Sequence, residues 1–218
     1  MTVDHARAAP SGGLRAAILA AAEAIEAARE PLCALDATTG DGDHGMTMTI
    51  GARGVRRQLE RVADEDPVRL VRAAAAGMGS AGGAIGPIYG RGLSALADSV
   101  ASERDAEDVA VARRAVDAAA AAVAALGGAR PGDKTILDAL VPFVEALASA
   151  ESRGRSLAEA ATEAAAAARA GADATASLRA RVGRSSRFGE RSIGTPDPGA
   201  TSFAIIVEAL ARAVAPST

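Results

Sequence analysis

Apolar positions recur at helical spacing along most of the chain and give way to polar clusters at three places. Leu14, Ile18, Ala22 and Ile25 share one face of a helix that the spacing predicts from about Leu14 to Arg29, with Ser11 as its cap and Pro31 marking its end. Helical periodicity resumes from Met46 through Val62, and Asp66-Pro67 opens a third helix, cap then proline, that runs into Gly77. After a glycine-rich stretch the pattern returns at Leu93. Asp105 is placed to cap a long helix to Leu126, stopped by Gly127-Gly128, and the PGDKT turn at Pro131 to Thr135 introduces another that ends near Ala150. Ser156 and Glu159 form a capping box for a further alanine-rich helix, and Asp197-Pro198 precede a last one from about Ala200 to Ala213. The pattern predicts an all-α chain of about eight amphipathic helices. No composition shift divides it, so one domain is expected over residues 1–218, with residues 1–10 a flexible tail.

Composition strengthens the helical reading. Aromatic residues make up 2% of the chain and alanine dominates its long segments, whereas sheets favour β-branched and aromatic residues. A hydrophobic fraction of 49% over 218 residues supplies a sizeable core and excludes a disordered chain. The net charge of -3 creates no general attraction to nucleic acid or to an anionic membrane, and neither partner is expected. Cys33 stands alone, which excludes an intramolecular disulfide, and the start from Met1 to Ala17 has no apolar export segment, so a cytoplasmic location is expected. The longest uncharged stretch, Ala73 to Gly90, holds six glycines and Pro87 and too little Leu, Ile and Phe to span a membrane.

The polar clusters carry the candidate chemistry. In LDATTGDGDHG, from Leu35 to Gly45, Asp36, Asp41 and Asp43 are close enough to repel one another unless a cation sits among them. An all-oxygen set suits magnesium with a phosphate ligand, while an EF-hand fails because the twelfth position from Asp41 is Ala52. Helix caps and turn formers beside glycines are the alternative. His44, next to the acids, can bind a phosphate or carry a proton, whereas His5 has no such setting. Neither common nucleotide loop is present. The glycines of GMGSAGGAIGPIYGRG, from Gly77 to Gly92, offer either backbone N–H groups to a phosphate or close approach to a neighbouring helix. Arg184, Arg187 and Arg191 in the third cluster form either an anion clamp or scattered surface charge. Lys134 is the only lysine, in PGDKT, and is either functional or simply solvated beside a capping Asp133. Cys33 reads as a small buried apolar residue.

Taken together, LDATTGDGDHG, GMGSAGGAIGPIYG, PGDKT and GERSIGTPDPGATS resemble the nucleotide-binding L subunit family of dihydroxyacetone kinase, in order and over roughly Leu35 to Ser202. The resemblance implies a barrel of eight antiparallel helices with the nucleotide in loops at one end. It implies that Asp36, Asp41 and Asp43 ligate two magnesium ions and that His44, Gly45, Met46, Thr47, Ala84 and Ile85 contact ADP or ATP. Gly127, Ile136, Arg184, Asp197, Pro198 and Gly199 would complete the pocket, and the three acids with Arg184 would be the catalytic set. The implied activity is that of a phosphotransferase subunit that acts on dihydroxyacetone or a related short ketose held on a partner K subunit. The donor is either exchangeable ATP or an M-type phosphotransferase-system protein that rephosphorylates bound ADP, and the sequence leaves both open, together with a homodimer. A nucleotide-dependent regulatory module with weak or no transfer is the alternative. The chain departs from the family at GGAIG, where Ile85 stands in place of a serine, and at MTMT, where asparagines are frequent.

Overall fold

Each predicted helix forms close to its expected place, and one unpredicted helix joins them. The computed structural model describes residues 13–103 and 109–215; the caps at Ser11 and Asp105, the tail over residues 1–10 and His5 lie outside the described residues. The elements are α1 (Gly13–Ala27), α2 (Arg29–Asp36), α3 (His44–Leu59), α4 (Pro67–Gly79), α5 (Ile85–Ala101), α6 (Val109–Gly127), α7 (Leu137–Ser152), α8 (Leu157–Ala174) and α9 (Pro198–Val214). Short 3-10 segments cover Thr175–Ser177 and Arg184–Ser192, and no strand occurs among the described residues.

Eight helices close a ring. In the order α1, α3, α4, α5, α6, α7, α8 and α9 each packs against the next, and α9 returns to α1. The short α2 lies beside the ring, against α3 and α9. Neighbours joined by turns run antiparallel, so α3, α5, α7 and α9 all begin at one end of the barrel, where α4, α6 and α8 finish. Small side chains let the helices approach closely. The ring also lines an apolar cavity of about 280 Å³ with side chains that include Ile18, Ile25, Met78, Leu93, Leu140 and Phe203. No helix among the described residues is long and apolar enough to cross a membrane.

Two predicted boundaries need correction. Pro31 does not terminate the first helix but sits in the first turn of α2, where a missing N–H removes no helical hydrogen bond. Helix α5 begins at Ile85, eight residues before the expected Leu93, so most glycines of that stretch are helical. They are packing residues: a Cβ on Gly77 would stand 2.3 Å from the Val55 nitrogen of α3, and one on Gly86 would stand 2.3 Å from the Ala81 carbonyl oxygen. Gly82 and Gly83 have nothing within 4 Å of a built Cβ and form the open turn between α4 and α5. Close approach therefore accounts for Gly77 and Gly86, and the phosphate alternative is left to Gly82 and Gly83.

Candidate functional site

The acidic loop brings its three carboxylates to one point. Asp36 closes α2 and is only 7% exposed; oxygens of Asp36, Asp41 and Asp43 lie within 4.8 Å of one another. Asp36 is fixed from behind, its Oδ2 accepting the N–H groups of Asp43 at 3.1 Å and His44 at 3.3 Å. Gly40 makes room for it, since a Cβ there would stand 2.3 Å from Asp36 Oδ1. Asp43 occupies the position before α3 yet makes no side-chain cap bond. The capping alternative thus accounts for Asp36 in part and leaves Asp43 unexplained. A compact set of hard oxygen donors, two of them accessible, fits a divalent cation such as magnesium.

Arg184 arrives from the far end of the sequence. Its guanidinium pairs with the Asp41 carboxylate and lies 3.5 Å from Asp43 Oδ1. Of the three arginines in that segment it is the one that pairs with the acids; Arg191 instead stacks 5.6 Å over the Phe188 ring.

His44, Gly45, Met46 and Thr47 form the first turn of α3, two residues earlier than the periodicity places the helix. His44 Nε2 lies 3.0 Å from Ser202 Oγ on α9. Burial pushes its pKa down to about 4 against the pull of Asp36 and a hydrogen bond to the Pro198 carbonyl. It is neutral at pH 7 and cannot serve there as a cationic phosphate clamp. Met46 is exposed. Helix α5 begins after Ala84 with no side-chain cap, so its positive end is left without a carboxylate of its own. Ile85 turns its side chain against the core cluster that contains Met48 and Met78.

The remaining residues of the expected set reach this end in different ways. Asp197 caps α9 through the Ala200 N–H at 2.7 Å, and desolvation pushes its carboxyl up to about 6 although Lys134 pulls the other way. Gly199 lies beside Ile136, whose Cβ would be 3.9 Å from a Cβ built on the glycine. Gly127 ends α6 with nothing within 4 Å of a built Cβ. Among the described residues no hydrogen bond or ion pair joins Gly127 or Ala84 to the acidic cluster; topology alone places them at the same end. Of the two readings the sequence left open for Lys134, burial removes the solvated one, since the residue is 3% exposed. Its solitary status was the available signal, and burial was not readable from it.

The chain is similar to known proteins in sequence and in fold. The DAK2 domain family model matches residues 38–212. The ADP-binding subunit DhaL of the PEP-dependent dihydroxyacetone kinase of Escherichia coli is 35% identical, over 84% of this chain and 88% of its own length. A second such subunit, from Listeria innocua, is 36% identical over 87% of this chain and 90% of its own length. L-erythrulose 1-kinase of Mycolicibacterium smegmatis is 41% identical over 81% of this chain, which spans only 31% of that longer protein. Among solved structures, the dihydroxyacetone kinase of C. freundii superimposes with a TM-score of 0.72 at 25% identity, covering 97% of this chain and 36% of that one. The same enzyme in complex with AMP-PNP and Mg2+ gives a TM-score of 0.71 at 24% identity. A family match across most of the chain, with relatives of comparable length above 30% identity, means that this protein belongs to the DAK2 domain family.

Proposed function

We propose that the chain is the nucleotide-binding part of a short-ketose kinase, holding magnesium with ADP or ATP and passing a phosphoryl group to a sugar on a partner K-type subunit in the cytoplasm. The observation that carries this reading is the meeting of Asp36, Asp41 and Asp43 with Arg184 at the barrel end. Asp36, Asp41 and Asp43 would hold the metal, two ions on this reading, whose charge would neutralise the phosphate oxygens. Arg184 supplies a fixed positive charge beside the same point, and the uncapped start of α5 supplies backbone N–H groups. Neutral His44, tied to Ser202 and Pro198, orients the first turn of α3. Ala84, Gly127, Ile136 and the Asp197-Pro198-Gly199 turn would line the rest of the nucleotide. Phosphoryl transfer needs positioning and charge neutralisation more than a protein nucleophile, and this end of the barrel offers both.

Relatives named as dihydroxyacetone and erythrulose kinases support a three- or four-carbon ketose as acceptor. The donor is either ATP or a phosphotransferase-system protein of the M type; rapid exchange of bound labelled ADP would select the first. The regulatory alternative draws on Ile85, whose side chain serves the core and offers no hydroxyl to a phosphate. Titration of ADP and ATP into nucleotide-stripped protein, with and without magnesium, tests the site, and magnesium-dependent binding is expected. Turnover with an added K-type subunit separates the kinase from the regulator; binding without transfer selects the regulator.

A further inference from the structure

Lys134 lies outside the residues assigned above, and its ammonium is fully used. Nζ donates to three main-chain carbonyls, those of Thr175 at 2.8 Å, Leu178 at 3.2 Å and Thr195 at 2.6 Å. An ammonium has three donors, so none remains for a ligand. Thr175 and Leu178 precede the segment that carries Arg184, and Thr195 follows it. One nitrogen therefore gathers both ends of that loop. The bonds around it serve the same closure: the Gly194 N–H donates to the Ala176 carbonyl at 2.8 Å and the Arg181 N–H to the Asp133 carbonyl at 3.1 Å. The Asp197 N–H donates to Thr175 Oγ1 at 2.7 Å.

Two features make Lys134 a costly residue for a loop. Its φ of +64° makes it the one non-glycine residue in the left-handed region among the described residues. Its charge is buried on carbonyl dipoles, with the buried Asp197 carboxyl as the acid whose field it feels. Strain and a buried charge both cost stability, and what the position supplies against that cost is the three carbonyl bonds that close the loop.

We propose that Lys134 is a positioning residue of the nucleotide site: by closing the base of the 178–195 loop it sets where Arg184 meets the acidic cluster and where the Asp197–Gly199 turn begins. The inference rests on the nucleotide reading above. It makes Lys134 act through Arg184, which a purely structural role does not require.

The test is a double-mutant cycle on magnesium-ADP affinity at a temperature well below unfolding, with wild type, Lys134→Met, Arg184→Gln and the double variant. Each single change is expected to weaken binding by about tenfold or more, and the double variant to fall clearly short of the product of the two. Lys134→Gln, which keeps an amide donor, replaces the Met variant if that one does not fold. Without nucleotide, amide exchange at Arg181 and Gly194 should rise in the Lys134 variant while α3 and α8 stay protected. Unchanged affinity in a folded variant, fully multiplicative effects, or unchanged exchange at the loop base each overturns the positioning role. Absence of binding by the wild type would overturn the nucleotide reading itself and this inference with it.

Discussion

The two ends of the barrel are built from the same alanine-rich helices and use their polar residues differently. At the end away from the acidic cluster, polar groups satisfy the protein's own backbone. Arg15 donates to the carbonyls of Leu59 at 2.8 Å and Val62 at 2.9 Å and pairs with Glu65 at 2.6 Å, fastening the turn after α3. Asp66 caps α4 through the Arg69 N–H, and Ser156 and Glu159 cap α8 reciprocally. At the other end α3 and α5 begin with no side-chain cap of their own, and three carboxylates converge where one would serve a turn. A loop whose polar groups only bond nearby backbone is a connector; a loop whose carboxylates also converge with an arginine from a distant segment is the arrangement proposed above for binding.

This contrast can be broken by mutation, and the largest effect is expected at the acids. Asp41→Ala should reduce magnesium-dependent ADP affinity by about a hundredfold or more. Its melting temperature should stay close to that of the wild type, because Asp41 is exposed and makes no cap bond that would be lost. A matching loss of helical signal in that variant would return Asp41 to a structural role. Arg184→Gln follows, with a loss of about ten- to a hundredfold in nucleotide affinity, the range for hydrogen bonds to charged groups. Unfolding free energy should change little there, since an exposed pair contributes about 0–1 kcal/mol.

Asp197 gives the site end a pH signature. Its folded value is raised from 3.8 to about 6, so between those values the folded chain holds a proton that the unfolded chain has released. The stability this adds is fully present below pH 3.8 and lost as pH rises through about 6. Asp197→Asn removes the change, and the wild-type minus variant difference in unfolding free energy should fall across that window by up to about 1.4 kcal/mol per pH unit. A flat difference would show that Asp197 does not take up a proton on folding.

At the opposite end the expected pattern reverses. Arg15→Ala should cost about 1 kcal/mol of stability by removing its hydrogen bonds to the Leu59 and Val62 carbonyls, and calorimetry should find magnesium-ADP affinity unchanged. Ser156→Ala should cost about 1 kcal/mol, again without touching binding. A loss of affinity in either variant would mean that the two ends are coupled through the helices.

Helix periodicity and caps were legible in the chain because they are local. Leu14, Ile18, Ala22 and Ile25 mark a buried face wherever that face is buried, and Asp66-Pro67 and Ser156–Glu159 bond residues within a turn of themselves. The acidic cluster was legible for the same reason, all three carboxylates lying within eight residues, from Asp36 to Asp43. Pro31 misled because a proline suits a first helical turn as well as it ends a preceding helix. The glycines from Gly77 to Gly92 misled because glycine marks close approach without saying to what.

By itself, then, the sequence determined the all-α class, most helix positions and the three-carboxylate loop, since each depends on residues no more than a few turns apart. Tertiary structure decided which arginine joins that loop, that α2 stays outside the ring, and that Lys134 is buried on the carbonyls of Thr175, Leu178 and Thr195. Arg184 and Asp41 are 143 positions apart. Only closure of the ring, with alternate helices starting at the same end, brings such distant loops together, and no periodicity along the chain records that closure.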